Sequence, residues 1–225
     1  IAAAKASGAT VVIPGNIYNF GNQPGELNET TPQTPNTRKG KIRVEMEAAY
    51  RAAGVQTIVL RAGNFIDPQG NGDIMSLFIL REAKSGKITH GGVPGSRQAY
   101  CYVPDWARAA VALSEKRSEL AIFEDVPFPG HSFTFEELKT HLNQATAHDF
   151  KLVAFPWWLM TVLSPFVEVF RELREMRYLY EMDHWIGSEK FNRLLPDFRP
   201  TSLSEVMEAG LPADIYPDKP VRTRS

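Results

Sequence analysis

The sequence predicts an α/β fold built on a parallel sheet, and three observations predict it. An apolar run from Thr10 to Ile13 ends in Pro14–Gly15 and reads as a strand. A helical stretch, about Thr37 to Ala53, follows a loop and stops at Gly54. A second apolar run, VQTIVLRAG (Val55 to Gly63), is rich in β-branched residues and does not alternate, as in strands buried on both faces. Strand, helix, strand in that order is a βαβ unit, whose crossover leaves its strands parallel. Ligands of such sheets bind beyond the carboxyl ends of the strands, which here are Pro14 to Asn19 and Ala62 to Phe65.

The elements follow in order. Ala2 to Ser7 reads as the tail of a helix stopped by Gly8. The Pro/Asn/Gly/Thr-rich stretch Asn16 to Asn36 is a loop long enough to suggest function. In the next helix, Ile42, Met46, Ala49, Tyr50 and Ala53 form an apolar stripe, with Arg43, Glu47 and Arg51 on a polar face. Ile74 to Ser85 reads as a helix, and KITHGGVPGS as a short strand with a glycine turn. QAYCYV is a strand leading into the helix DWARAAVALSEKR, with Asp105 as its N-cap. LAIFEDV is a short strand. Ser132 to Asn143 is a helix whose capping box pairs Thr134 with Glu137. FKLVAF is a strand, Trp157 to Trp185 is mostly helical, and LLPDFRPTSLSEVMEAGL ends in an amphipathic helix.

Bulk properties narrow the class. The chain has 225 residues, 43% of them hydrophobic, and a formal net charge of −1. This balance gives no support for nucleic acid or an anionic membrane as partner, so neither is expected. The single cysteine, Cys101, excludes an intrachain disulfide framework, and a cytoplasmic location is the expectation. No secretory signal is visible. The longest apolar run, Phe155 to Phe170, is shorter than the ~20 residues of a spanning helix and is interrupted by Pro165 and Glu168; a buried or interface helix is expected. The chain begins inside a helix and without Met, so a fragment or processed product is expected.

Four motifs then line up. IVLRAGNFIDPQG, RQAYCYVPDWARAAVAL, PGNIYNFG and LPDFRPTSLSEVMEAG resemble segments of the extended short-chain dehydrogenase/reductases, the NAD-dependent epimerase/dehydratase family. Arg97, Tyr100, Val103, Asp105, Ala107 and Ala109 match the family pattern R-x-Y-x-x-V-x-D-x-A-x-A. The resemblance implies the C-terminal half of a Rossmann-like, doubly wound parallel sheet with a smaller α+β substrate lobe. Residues 1–127 would be the nucleotide-binding part, and 128–225 the lobe, to which 69–97 contribute. The family's G-x-x-G-x-x-G loop does not occur, and by the resemblance it would lie in a missing N-terminal half. The implied cofactor is NAD or NADP.

The family's chemistry uses a Ser or Thr, a Tyr and a Lys. The lysine bonds the nicotinamide ribose and lowers the tyrosine pKa; the tyrosine exchanges a proton with the substrate oxygen while hydride moves. In TPNTRKGKIRVEME, Lys41 matches the lysine, with Glu45 four residues on. Its other reading is a solvated helix start, as one of the four basic residues of RKGKIR. Thr37 stands at the tyrosine place. An aliphatic hydroxyl is a far weaker acid than a phenol of pKa about 10, so Thr37 is expected to cap the helix or to hold a water or a substrate oxygen. Asn16 stands at the serine place, as a polariser of the substrate oxygen or as a turn residue. Tyr18 is a replacement acid or a packed aromatic.

By the same resemblance Pro14, Gly15, Ala62 and Gly63 border the cofactor. Asn64, Phe65 and Arg97 contact a small-molecule substrate, with a surface salt bridge as the other reading of Arg97. Arg61 ends the second strand, and His90 is a lone histidine near the substrate loop. The family often dimerises through the helix that bears the lysine; Arg43, Glu47 and Arg51 on that helix weaken the expectation of a homodimer. The five histidines show no H-E-x-x-H spacing, and no G-x-S-x-G elbow occurs. Two functional readings result. One is an NAD(P)-dependent epimerase/dehydratase-like oxidoreductase acting on a carbonyl or hydroxyl compound such as a nucleotide sugar. The other is an inactive nucleotide-binding sensor or assembly protein of the same fold.

Overall fold

The computed structural model describes residues 1–146, 148–164, 168–212 and 215. Its first sheet joins β1 (Val11–Gly15), β3 (Thr57–Arg61) and β7 (Phe123–Pro127), all parallel, in the order β1-β3-β7. The central strand β3 is buried along its whole length, as its unbroken apolar run predicts. Helix α2 (Arg38–Ala53) connects β1 to β3 and faces the Arg61 side of the sheet. Helices α3 (Val103–Glu115) and α8 (Glu189–Leu194) cover the other side, where Ile58 and Leu60 pack on Ala109, Leu113 and Phe191. Helices on both faces of a parallel sheet make the doubly wound α/β arrangement. Pro14 sits in β1, which among the described residues has a sheet neighbour on one side only, so its missing N–H costs little.

A second sheet has the order β4-β6-β8, with β4 (Asn64–Ile66) parallel and β8 (His131–Phe133) antiparallel to β6 (Gln98–Tyr102). β6 divides the interior by its two-residue alternation. Cys101 joins the cluster under β3, while Tyr100 and Tyr102 point into a larger cluster with Phe133, Phe135, Leu138 and Phe150. Tyr100 stacks on Phe133 with ring centroids 4.1 Å apart. Two strand pairs tie the long loops down: β5 (Lys87–His90) with β9 (Lys151–Ala154), and β2 (Gly25–Leu27) with β10 (His184–Ile186). The remaining helices are α1 (Ala2–Ser7), α4 (Phe135–Thr146), α5 (Trp157–Leu163), α6 (Glu168–Glu175), α7 (Tyr178–Glu181) and α9 (Leu203–Glu208). Among the described residues no helix is long and apolar enough to cross a membrane.

Several local expectations need correction. The stripe on α2 faces the wrong way: Ile42 is 52% exposed and Ala49 is exposed, whereas Glu47 is 3% exposed. A buried cation, Arg61, outweighs hydropathy there. Ile74 to Ser85 is a single π turn (Met75–Ile79) and a 3-10 turn (Ala83–Ser85) instead of one α-helix. Asp105 does not cap α3; it lies in the first turn and accepts from the backbone and hydroxyl of Thr201, both at 2.7 Å. The stretch Trp157 to Trp185 is mostly helical as expected, in three short helices, but it ends in the strand β10, which pairs with β2 inside the supposed loop. Pro165 of the apolar run lies outside the described residues. The capping box stands as predicted, with Thr134 N–H donating to Glu137 at 2.8 Å and Glu137 N–H to Thr134 Oγ1 at 3.0 Å.

β10 carries a pH-sensitive joint. His184 is fully buried; Nδ1 lies 2.9 Å from Met182 O, and Ala99 N–H donates to Nε2 at 3.4 Å. Both partners suit the neutral ring with its proton on Nδ1. Burial pushes the His184 pKa below the usual histidine value, outweighing its bond to Met182 and the nearby Asp183 charge; burial also lowers His131. A depressed histidine pKa contributes stability that is present above the unfolded value near 6.5 and lost as pH falls below it. Urea unfolding at stepped pH should show stability declining from pH ~7.5 to ~5.5, by at most about 1.4 kcal/mol per unit for each such group. The decline should be shallower in His184→Gln.

Candidate active site

The first sheet gathers most of the predicted site at its carboxyl edge. Ala62 N–H donates to Gly15 O at 3.0 Å, so the ends of β1 and β3 lie side by side. Asn16 follows, and its Oδ1 accepts from Tyr18 N–H at 3.0 Å, closing an Asx turn. Tyr18 opens a 3-10 turn (Tyr18–Phe20) that packs on the start of α2. The approach is close because residue 40 is glycine. A Cβ there would stand 2.4 Å from Tyr18 O and 2.8 Å from Pro35 Cβ. Gly63 has the same role on the other strand, where a Cβ would stand 2.3 Å from Ala99 O.

Thr37 is the N-cap of α2. Its Oγ1 accepts from Gly40 N–H at 3.0 Å, and the residue is buried. Thr37→Ala should therefore cost about 1 kcal/mol of stability, measured by chemical denaturation. Lys41 lies one turn further on, exposed. Its ammonium has no hydrogen bond or ion pair among the described residues. Asn16 keeps its amide N–H groups free in the same sense. Tyr18 is half-buried and packs, as Met176 and Tyr178 do, against the cluster that holds Ile17, Phe20 and Leu179. Burial pushes its phenol above the usual tyrosine pKa, with Arg43 opposing.

The other predicted residues stand apart. Asn64 and Phe65 belong to β4 of the second sheet, and Phe65 meets Trp106 edge-on at 6.1 Å. Arg97 precedes β6, bonds Asp183 at 3.1 Å and stacks over Trp185 at 3.9 Å. It is 44% exposed there, as in the salt-bridge alternative. His90 Nδ1 lies 2.7 Å from Gly92 O. No cluster of His, Cys, Asp or Glu suited to a metal exists among the described residues. Of the aromatics, Phe155 and Trp157 pack with Phe78 and Tyr180, whereas Trp158 is 70% exposed.

Sequence reasoning missed the group that holds the edge together. The guanidinium of Arg61, 1% exposed, donates to Glu47 at 2.9 and 3.2 Å, to Asp125 at 2.6 and 3.2 Å, and to Asn16 O at 2.6 Å. Each of its N–H donors thus has an acceptor. Gln33 extends the network, donating to Glu47 and accepting from Asn19, both at 3.2 Å. The long loop is therefore fastened rather than loose. A signal was available: an arginine ending an otherwise apolar strand must find buried partners.

No family model and no curated protein matches the sequence. Solved structures do match in fold. An apo GalE-like L-threonine dehydrogenase from Cupriavidus necator superposes with TM-score 0.71 at 19% identity, over 94% of this chain and 73% of its own. MoeE5 in complex with UDP-glucose and NAD gives 0.69 at 15%, over 93% and 66%. A UDP-glucuronic acid 4-epimerase from Bacillus cereus, in complex with UDP-glucuronic acid and NAD, gives 0.68 at 16%, over 89% and 60%. The chain thus spans roughly two thirds of the length of these structures. At such identities the likeness is one of fold: the chain has the Rossmann-like α/β architecture that these epimerases and dehydrogenases share.

Proposed function

We propose that the chain is the nicotinamide-side part of an NAD(P)-dependent epimerase- or dehydrogenase-like oxidoreductase. Its substrate would be a carbonyl or hydroxyl compound such as a nucleotide sugar. The observation that carries the reading is the free ammonium of Lys41 on the helix that follows the carboxyl edge of the sheet. The residues present fit the nicotinamide-ribose end of a dinucleotide: an unpaired cation, free amide N–H groups on Asn16, and close-packed strand ends at Gly15 and Gly63. When bound, the cofactor supplies hydride transfer. Lys41 would bond the ribose hydroxyls, and Asn16 would donate to the substrate oxygen. Asn64, Phe65 and Arg97, with the lobe formed by 128–225 and 69–97, would line the substrate side. The fold relatives bound to NAD with UDP-glucose or UDP-glucuronic acid support this substrate class.

The second reading, a nucleotide-binding protein without a reaction, also has a specific observation in its favour. No candidate is a good acid: the Thr37 hydroxyl is aliphatic and its oxygen already accepts the helix-cap bond, the Asn16 amide can donate a hydrogen bond but not a proton, and burial makes the Tyr18 phenol a weaker acid. Turnover decides between them. The complete gene product should be assayed with NADH and NADPH against carbonyl compounds and nucleotide sugars. Turnover that falls in Tyr18→Phe with cofactor affinity unchanged supports Tyr18 as the acid. Turnover untouched by Tyr18→Phe excludes that role, and tight cofactor binding with no turnover selects the second reading.

A further inference from the structure

Helix α6 is fastened to the site helix by charge. Lys39 Nζ donates to Glu172 O at 2.9 Å and pairs with the Glu172 carboxylate; Glu175 Oε2 lies 4.0 Å away. Glu175 also accepts from the backbone N–H of Arg38. The two arginines of α6 have partners of their own, Arg171 in Glu168 and Arg174 in the Ser164 hydroxyl at 2.8 Å. None of its described side chains belongs to a buried cluster.

The neighbouring residues behave differently. Met176 and Tyr178 pack against the same buried cluster as Tyr18, the one formed by Ile17, Phe20, Leu27, Leu179 and Met182. Tyr180 is seated against Gly91 and Gly92, where a Cβ would meet its ring at 2.6 Å and its carbonyl oxygen at 2.2 Å. The segment is thus anchored at α7 by packing and held at α6 by ions. The first turn of α2 needs those ions. It carries Arg38 and Lys39 and no acid, an unfavourable arrangement at the positive end of a helix dipole. Glu172 and Glu175 supply the missing negative charge from more than 130 residues away in sequence.

We infer that residues 168–178 form a strap, latched by the pairing of Glu172 and Glu175 with Lys39 and Arg38, and that its opening governs access to Tyr18 and the start of the site helix. That this edge is where a cofactor works rests on the proposed function; the latch does not. An electrostatic latch should open with salt, because the Debye length shrinks from about 30 Å at ~0.01 M to about 3 Å at ~1 M.

The test is amide exchange, read by mass spectrometry on the complete protein, over peptides covering 168–178. Lys39→Met and Glu172→Gln should each speed exchange there about two- to fivefold, as expected for one partly exposed pair. The double variant should add nothing further, because both changes remove the same interaction. High salt should produce the same acceleration in the unmodified protein, and nitration of Tyr18 by tetranitromethane should rise in parallel. Unchanged exchange in both single variants, or effects that add in the double, would overturn the latch. Should a variant lose its fold, the salt series on the unmodified protein decides, and salt-insensitive exchange over 168–178 refutes the strap. A failure to bind NADH or NADPH would sink the proposed function and leave these rates unaffected.

Discussion

Arg61→Met should destabilise the protein by about 3–5 kcal/mol in chemical denaturation at neutral pH, or prevent its folding. The guanidinium sits between the buried carboxylate of Glu47 and the partly buried one of Asp125, and also holds the Asn16 carbonyl. Methionine fills much of the space but leaves both carboxylates without their cation. Burial already pushes the Asp125 carboxyl above the usual carboxylate range, against the pull of Arg61. Removing Arg61 should push it higher. A raised carboxyl pKa contributes stability below its unfolded value and loses it as pH rises through the folded value. The variant should therefore regain part of its stability on acidification below the raised Asp125 pKa. Replacing Glu47 and Asp125 by apolar residues in the same variant should also recover stability, because the cost lies in the unpaired charges. A loss below about 1 kcal/mol in Arg61→Met would mean that the network contributes no more than a surface pair.

Lys41→Met should weaken NADH or NADPH binding roughly tenfold to a hundredfold, the worth of about 1.5–3 kcal/mol for hydrogen bonds from a charged donor. Folding should be nearly untouched, because Lys41 is exposed and makes no bond among the described residues. The contrast with Arg61 is the point: one cation is wholly committed to the protein, the other to no partner among the described residues. Fluorescence titration of NADH and a parallel denaturation curve separate the two effects. Equal loss of stability and affinity would place Lys41 among the structural cations instead.

The sheet was legible because β3 is unbroken in its hydropathy and α2 ends at a glycine, signals that need no partner to be read. The capping box at Thr134 was legible for the same reason, since both bonds close within one turn. The orientation of α2 was not. Hydropathy placed Ile42 inside and Glu47 outside, but the side of the helix that is buried is set by Arg61, distant in sequence. β2 and β10 were missed because three-residue strands carry no periodicity and exist only through each other. At the site, Thr37 was readable as a cap from its residue type and place before a helix. The Arg61 network required knowing that Glu47, Asp125 and Asn16 converge, which only the fold brings about. The strap was hidden similarly, since Glu172 and Glu175 look like ordinary surface charges until the start of α2 lies beside them.

The central claim is that the carboxyl edge of the first sheet holds the nicotinamide end of a dinucleotide. Amide exchange of the complete protein with and without saturating NADH or NADPH tests it most directly. The account predicts slowed exchange in three separate segments together: 14–19, 38–41 and 62–65. Cofactor binding that leaves all three unprotected, or no binding of either cofactor, would contradict it.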